Sequence, residues 1–372
     1  MQLRKLDTNR AADVRQFVDF PFQLYQDCPQ WVPSLVSGVK LALNRGKHPF
    51  YRHSDADFFV VEEGDKTLGR IAVLANSRYN EYHGSKTAFL YYFDTVEDVR
   101  VSNLLLDAAC AWAQDRGMDT ILGPKGLMRA DPAGILIEGF EHRAALSASY
   151  NYAYYPRLIE AAGFEKELDY SSGYLAGDYK LPERFYTIAE KVKARSGFWI
   201  KSFRNKRELG DWIPRIQRVN NEAFVHVWGY CPMDELETEM VAKQLLAIGD
   251  PQLIKLVMKD DEVAGFILTF PDVSAALQRI KGRLFPFGWI DVLRELKTTR
   301  WMLVNGVGLL PKYQGLGANA VLYTEMVKTL ETRPVELCDV AYVAETNQKS
   351  MRDMEALGVK WYKRYRVYRK SL

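Results

Sequence analysis

The most informative stretch of the sequence for the fold is residues 301–322, WMLVNGVGLLPKYQGLGANAVL. The stretch begins as an apolar run typical of a buried strand, reaches Pro311, and then passes through two closely spaced glycines into a helical pattern. Backbone N–H groups at a helix N-terminus are unpaired, the helix dipole adds partial positive charge, and glycine lets a phosphate come close. Lys312 adds a cation just before the glycines. The stretch therefore predicts a loop that binds a pyrophosphate.

The second half of the chain, roughly residues 200–372, resembles a GNAT-type acyl-CoA-dependent N-acyltransferase domain. That family carries Gln/Arg-x-x-Gly-x-Gly/Ala after a strand, and residues 314–317, QGLG, fit the first four positions. The preceding strand matches the one whose main chain pairs with the pantetheine arm, and residues 347–358 match a later asparagine motif. The resemblance implies acetyl-CoA or another acyl-CoA as cosubstrate. The residues expected to bind it are Val307, Gly308, Leu309, Lys312, Gln314, Gly315, Leu316, Gly317, Ala318, Asn319 and Asn347.

Two positions depart from the family pattern. Asn319 stands where the family has Gly or Ala, and it is expected either to crowd the helix or to bond a phosphate oxygen. Family members often have a tyrosine seven residues after the motif asparagine, as general acid to the leaving thiolate, and here that residue is Met354. Methionine has no proton to donate. Cofactor binding is therefore better supported than catalysis.

Acyl transfer to an amine needs a base for the amine proton and donors that polarise the thioester carbonyl. The backbone N–H groups of Gly308 and its neighbours are expected to be those donors. No unique base stands out from the sequence, and water or a nearby tyrosine must protonate the thiolate. The candidate catalytic residues are Glu222, Tyr342 and Glu345.

The two halves of the chain carry the same order of predicted elements. Residues 58–75 and 253–270 each read as two strands around a short polar turn, and each is followed by a helical pattern and a strand. A short helix, a glycine and a charged, aromatic strand then close both halves. We therefore predict an α+β protein of two tandem GNAT-like domains, residues 1–180 and 181–372. Each domain is expected to hold a mixed, mainly antiparallel sheet flanked by helices.

The first half lacks a pyrophosphate loop. Residues 93–103, FDTVEDVRVSN, contain no glycine at the corresponding place, and Asp94, Glu97 and Asp98 would repel phosphates. We expect this half not to bind CoA. An extra segment near residues 123–150 is rich in turn-forming residues and is expected to be a long loop over the cleft between the halves, where it helps to shape the acceptor pocket.

The composition narrows the class of protein. The chain has 372 residues, 48% hydrophobic and 26% charged, which is typical of a globular protein large enough for two domains. A net charge of +3 gives no strong nucleic-acid signal. Four scattered cysteines support neither a disulfide framework nor a metal site, so no metal is expected. No apolar run is long enough for a membrane span, and the N-terminus lacks a signal-peptide pattern, so we expect a cytoplasmic protein.

The first hypothesis is an acyl-CoA N-acyltransferase, with acetyl transfer as the simplest case. Its partner would be a small-molecule or peptide amine bound between the halves. A second hypothesis is a protein similar to the peptidyltransferases that use aminoacyl-tRNA, although the intact glycine loop and the low net charge argue against it. A third is a sensor that binds CoA without turnover, which Met354 and the missing base favour. The sequence leaves a homodimer open.

Overall fold

The computed structural model describes all residues from Met1 to Leu372. The strands are β1 Gln2–Lys5, β2 Asp55–Glu63, β3 Lys66–Ala75, β4 Thr87–Thr95, β5 Thr120–Gly123, β6 Ile135–Glu138, β7 Glu165–Ala176, β8 Phe198–Ser202, β9 Ile254–Lys259, β10 Glu262–Pro271, β11 Trp301–Leu309, β12 Leu337–Ala344 and β13 Lys360–Ser371. The helices are α1 Ala11–Leu24, α2 Val36–Leu43, α3 Ser77–His83, α4 Val99–Gln114, α5 Tyr155–Ala161, α6 Glu183–Ser196, α7 Lys206–Ala223, α8 Glu235–Ile248, α9 Ser274–Arg279, α10 Gly288–Thr298, α11 Ala318–Leu330 and α12 Gln348–Leu357. None of these helices combines the length and the apolar character that crossing a bilayer requires.

The predicted internal repeat is present. Hairpin β2–β3 corresponds to β9–β10, helix α4 to α11, strand β5 to β12, helix α5 to α12, and strand β7 to β13. In each half the long helix follows a strand, β4 or β11, that pairs in parallel with the strand after the helix. All other strand pairs are antiparallel, so the α+β class with a mixed sheet is confirmed.

All strands belong to one sheet, in which the two halves exchange their last strands. The order is β1-β2-β3-β4-β5-β13-β7-β12-β11-β10-β9-β8, and β6 pairs with β13. Strand β13, the last of the second half, lies between β5 and β7 of the first half, and β7 continues into the second half through β12. The repeat pattern did not predict this exchange. The division at residue 180 stays a prediction, because the sheet runs through both halves.

The segment 123–150 is more ordered than the expected long loop. It contains strand β6, whose residues Ile135 and Leu136 pair with Arg366 and Tyr365 of β13. The expected long loop therefore contains one short strand, and most of the remaining segment consists of turns and irregular structure. Apolar residues within a turn-rich stretch form this strand because β13 offers it a partner.

Acid is expected to destabilise the fold through His48. This side chain is almost fully buried, and its Nδ1 accepts a hydrogen bond from the backbone N–H of Phe50 at 3.3 Å. Burial lowers the pKa of His48 to about 4, although Glu237 opposes the shift. The unfolded chain takes up this proton below about pH 6.5 and the folded chain only below about pH 4. Stability therefore falls as the pH drops through that window.

The measurement is urea unfolding of the parent and of His48→Asn at pH 7 and pH 5. Asparagine retains an acceptor for the Phe50 N–H but does not titrate in this range. We expect the parent to lose about 2 kcal/mol more than the variant between the two pH values, from about 1.4 kcal/mol per pKa unit. Equal losses in both proteins would contradict the assignment to His48.

Candidate functional site

A gap opens in the sheet of the second half where two parallel strands separate. Strands β11 and β12 pair from Trp301 with Leu337 to Val304 with Val340, and not beyond. Directly past this point each strand has a bulge against its outer neighbour: Asn305–Gly306 in β11, and Ala341–Tyr342 in β12. A bulge bends its strand, so the two bulges turn the strands apart. The open edge of β11 can therefore accept main-chain hydrogen bonds from a bound molecule.

The ladder to β10 shows which groups of β11 face the gap. The backbone N–H of Leu310 donates to the carbonyl of Ala264 in β10 at 2.9 Å. Gly308, two residues earlier, lies opposite Phe266 of β10. Hydrogen-bonding direction alternates along an antiparallel strand, so Gly308 also points its N–H toward β10. Its neighbours Val307 and Leu309 point theirs into the gap. Gly308 itself is thus not one of the donors expected from the sequence.

Gly308 has a steric role instead. A Cβ on this residue would lie 3.0 Å from Cζ of Phe266 and 3.2 Å from Cβ of Ala223, the last residue of α7. The absence of a side chain lets the end of α7 lie against β11. The C-terminal turn of α7 is thereby placed over the strand that borders the gap.

The loop between β11 and α11 presents a row of free backbone donors. Gly315 and Gly317 have φ of +78° and +81°, in the left-handed region that favours glycine. No acceptor within the chain takes the backbone N–H groups of residues 315–319. A Cβ at Gly315 would meet nothing within 4 Å, whereas one at Gly317 would lie 2.7 Å from Val192 of α6. Gly315 therefore borders open space, and Gly317 lets the loop pack on α6.

Asn319 does not crowd the start of α11. Its Nδ2 donates to Asp353 of α12 at 2.9 Å, and its Oδ1 accepts from the N–H of Ala320 at 3.0 Å. The side chain is therefore turned toward α12, and the N–H row is left open. Ala318, by contrast, is fully buried, while Leu316 is exposed.

Two lysines lie near the loop, and the sequence suggested only one of them, Lys312. Lys312 bonds Glu262 of β10, with Nζ 2.7 Å from Oε2, so in this structure a carboxylate holds it. Lys349, near the start of α12, instead donates to Oε1 of Gln314 at 3.1 Å. Gln314 also donates from Nε2 to the carbonyl of Leu309 at 3.2 Å. Gln314 thus joins the strand, the loop and a second lysine that sequence reasoning missed.

The remaining motif residues lie on α12. The side chain of Asn347 accepts from the N–H of Ser350 at 3.2 Å and caps this helix. Met354 is buried in the core between α12 and the sheet, next to Leu357 and Val359. A residue at position 354 therefore faces the core, and a proton donor for the gap must come from elsewhere.

The two candidate glutamates have partners of their own. Glu222 is about half exposed and accepts from Arg218, one turn earlier in α7, at 3.0 Å. Glu345 accepts from Lys166 at 2.8 Å and from the backbone N–H of Asp169 at 3.0 Å. The structure does not bring the two carboxylates together, and their role as a base stays a prediction.

Tyr342 lies in the bulge of β12 beside the gap. Its φ of +38° is a strained value for a residue with a side chain, and such strain is concentrated at functional sites. Its hydroxyl accepts the backbone N–H of Ser149 at 3.0 Å, and burial raises its pKa to about 12. The phenol is therefore protonated at neutral pH. Its catalytic role stays a prediction.

The corresponding gap in the first half is followed by a helix start that carries a side-chain cap. Strands β4 and β5 part after Phe89 and Leu122, and the bulge of β4 contains Tyr92, with φ of +47°. At the helix that follows, the carboxylate of Asp98 accepts the N–H of Arg100 at 2.8 Å. A side-chain anion thus occupies the place that a phosphate would need. Of the three acidic residues, Asp98 thus caps α4, whereas Asp94 pairs with Arg70 and Glu97 with Arg157.

A cavity of about 130 Å³ lies beside this gap. Of its 22 lining residues 13 are hydrophobic, contributed by α1, α2, β4 and the segment 123–150. At its polar end Arg70 donates to Asp94 at 2.7 Å, and the hydroxyl of Tyr25 donates to the same carboxylate at 3.0 Å. The wall of the cavity includes Ser149, which links it to Tyr342.

The segment 123–150 contacts the second half at several points. Arg129 donates to the side chains of Asn220 and Asn221 at the end of α7. The N–H of Leu146 donates to Asp272 at 3.2 Å. The segment therefore lies between the halves and beside the end of α7. No local pattern marks Arg129, because its partners are about ninety residues away in the chain.

One group of side chains has the spacing of metal ligands. The candidate atoms of His53, Asp234 and Glu237 lie within 4.8 Å of one another. Glu237 and Asp234 form a capping box at the start of α8, and Nε2 of His53 lies 3.4 Å from Oε1 of Glu237. These contacts explain the cluster as a helix cap that lies against His53 of the first half.

Several solved structures share the architecture of this chain. The tandem GNAT protein from the clavulanic acid biosynthesis pathway aligns over 100% of this chain and 98% of its own, with a TM-score of 0.57 at 12% identity. A GCN5-related N-acetyltransferase from Sphaerobacter thermophilus aligns over 100% and 95%, with a TM-score of 0.53 at 16% identity. The chain therefore has the tandem GNAT fold, as its sequence predicted.

Two curated proteins are similar along the whole chain. Bacterial ceramide synthase from Caulobacter vibrioides is 26% identical over 380 residues, which cover 100% of this chain and 98% of that protein. Protein YghO from Escherichia coli is 26% identical over 367 residues, which cover 97% and 93%. No protein-family model matches the chain.

Proposed function

We propose that the protein is an acyl-CoA-dependent N-acyltransferase whose cosubstrate binds in the second half. The observation that carries this proposal is the row of free N–H groups at residues 315–319, set beside a strand with an open edge. The equivalent helix start in the first half is capped by Asp98. The pyrophosphate of CoA would bind the N–H row, with Lys349 as the nearby cation. The pantetheine arm would lie along β11.

The gap supplies the groups that the arm and the thioester need. Val307 and Leu309 direct main-chain groups into it, where they match the amides of pantetheine. An N–H at this level would donate to the thioester carbonyl and stabilise the oxyanion that forms when the amine attacks. Such a donor is typically worth about 10²–10³-fold in rate.

The acceptor would approach from the side covered by α7 and the segment 123–150. Arg129, with its partners Asn220 and Asn221, borders this side. Tyr342 accepts a hydrogen bond from Ser149, which lies in the wall of the cavity of the first half. Similarity to a bacterial ceramide synthase supports an amine acceptor, because a ceramide is the amide of a long-chain amino alcohol. The apolar cavity supports an acceptor with an aliphatic chain. We therefore favour a long-chain amine over a peptide.

The reaction balances with groups of this chain and solvent. The amine nitrogen attacks the thioester carbon, the C–S bond breaks, and the nitrogen loses a proton while the CoA sulfur gains one. Tyr342 is the proposed donor to the sulfur because it lies in the bulge of β12 beside the gap and carries a protonated hydroxyl at neutral pH. The amine proton leaves to water or to one of the candidate glutamates.

Calorimetric titration with CoA, followed by a thiol-release assay, tests the proposal. We expect one CoA per chain, and thiol release that is faster with long-chain amino alcohols than with short water-soluble amines. Two equal CoA sites would show that the first half has kept a binding loop. Binding without release by any amine in the panel would support the sensor hypothesis instead.

A further inference from the structure

One face of the molecule exposes a cluster of large apolar side chains. We call it the α10 patch; it consists of Phe285, Phe287, Trp289, Ile290 and Leu293. Phe285 and Phe287 are 84% and 73% exposed, and the other three are each about half exposed. No residue of α10 is buried. Five of the chain's 13 exposed large hydrophobic residues thus fall within nine positions, and a contiguous patch of this kind marks an interaction site.

Basic residues surround the α10 patch. Residues 279–300 contain six lysines and arginines and two acidic residues, a local net charge of +4 against +3 for the whole chain. Both acids, Asp291 and Glu295, are bound by Arg279. Lys281, Arg294 and Lys297 are exposed and form no ion pair. The free charge at the patch is therefore positive.

The segment that bears the patch is held rigidly on the body of the protein. Gln278 donates to the carbonyls of Pro29 and Trp31 at 2.7 and 2.8 Å. The N–H of Val36 donates to the carbonyl of Gly282 at 2.9 Å, and Arg283 bonds Asp19 at 2.8 Å. The apolar side chains are thus presented outward by a fixed frame.

We propose that the α10 patch docks the protein on the surface of an anionic lipid bilayer. Phenylalanine and tryptophan at the tip, leucine and isoleucine beside them and lysine and arginine at the rim match an interfacial helix that lies in the headgroup region. Anionic lipids complement the free positive charge. Charge complementarity favours this occupant over a second copy of the chain, which would bring the same positive rim against itself.

The patch lies next to the cavity of the first half. The loop to which residues 278–283 are bonded also supplies Trp31, Val32 and Val36 to the cavity wall. Docking would bring this apolar wall close to the bilayer, where a long-chain amine resides. This last step rests on the proposed function, whereas the docking itself does not.

Flotation with lipid vesicles tests the docking, in the absence of acyl-CoA. We expect the full chain to float with vesicles that contain phosphatidylglycerol, at least tenfold more than with phosphatidylcholine alone, and to be released by high salt. The double variant F285S/F287S should lower the bound fraction at least tenfold, and R294E/K297E should abolish the preference for anionic lipid. Leu236→Ser removes an exposed apolar residue elsewhere and should bind like the parent.

Circular dichroism shows whether each variant is folded, and no packing loss is expected because the substituted side chains are exposed. Equal flotation of the parent and the F285S/F287S variant would overturn the proposal. So would a parent that ignores both kinds of vesicle but forms a dimer that this variant cannot form, because the patch would then be a protein interface. Thiol release with a short amine is measured separately, so failure of docking and failure of acyl transfer are distinguishable.

Discussion

Replacing Gly315 by aspartate is expected to lower the affinity for CoA by at least about 100-fold, which is about 2.7 kcal/mol. A Cβ at this position meets no other atom within 4 Å, so the side chain enters the open space above the free N–H groups. A carboxylate there would itself accept those N–H groups and would repel a phosphate, with a Coulomb cost of about 4 kcal/mol at 4 Å near a protein surface. The measurement is calorimetric titration of the parent and the variant with CoA.

Gly315→Asn is the matched control. Asparagine has nearly the size of aspartate and tolerates a left-handed backbone equally well, but it carries no charge. We expect it to bind CoA much more tightly than Gly315→Asp, at equal thermal stability of the two variants. Glu97→Gln, at the corresponding place in the first half, should leave affinity unchanged, because Glu97 pairs with Arg157 on the surface. A Gly315→Asp variant that is folded and binds like the parent would rule out this loop as the pyrophosphate site.

The local elements of the fold could be predicted because each is encoded by a local pattern. The hairpin around Gly64 and Asp65, for example, follows from two β-rich runs separated by a short turn, and the structure has it as β2 and β3. The loop at Gly315 and Gly317 could be predicted for the same reason. Both glycines occupy left-handed conformations that other residues avoid, so their positions in the sequence indicate a tight loop. Element order then led to the tandem arrangement.

The exchange of strands could not be predicted in the same way. The local patterns of β7 and β13 each predict a strand, but neither pattern shows whether that strand stays in its own half or crosses to the other. The choice depends on packing among residues far apart, such as Tyr368 of β13, which lies opposite Gly123 of β5 and bonds Glu160 through its hydroxyl. No periodicity within a window of the sequence reports such a contact.

The candidate site shows the same limit. The sequence located the loop correctly on the chain but not the partners of its side chains. The sequence did not show that Lys312 pairs with Glu262, fifty residues earlier, or that Lys349 of α12 contacts Gln314, and the role of Lys312 toward a phosphate stays a prediction. Main-chain features follow from glycine positions and strand ends, whereas side-chain partners depend on the tertiary arrangement.

The two halves share one order of elements but differ at the strand gap and at the start of the helix that follows it. Both have a strand gap, a bulge and a following helix, but only the second leaves its helix start uncapped. The first half instead pairs Arg70 of β3 with Asp94 of β4, and an apolar cavity lies beside this pair. One half thus offers main-chain donors for an anion, and the other offers apolar walls.

Neither half is expected to fold alone, because β13 belongs to the core of the first half. Tyr365, Val367 and Tyr368 are almost completely buried there. Losing the burial of these three side chains costs on the order of 5–9 kcal/mol, at about 1.5–3 kcal/mol each. That loss is comparable with the whole stability of a typical domain, about 5–15 kcal/mol. It also leaves β5 and β7 with unpaired edges, which favour aggregation.

Residues 1–180 expressed alone should therefore be insoluble or lack a cooperative unfolding transition, and residues 181–372 should behave likewise because β12 loses its partner β7. The two pieces expressed together should assemble into a one-to-one complex that binds CoA. The cut at residue 180 falls between β7 and α6, so the assembled complex retains every strand pair and controls for the break itself. A first half that unfolds cooperatively on its own would show that β13 is dispensable to it. The stability of that half would then have to come from its own core around α4, with β5 and β7 pairing directly in place of the exchanged strand.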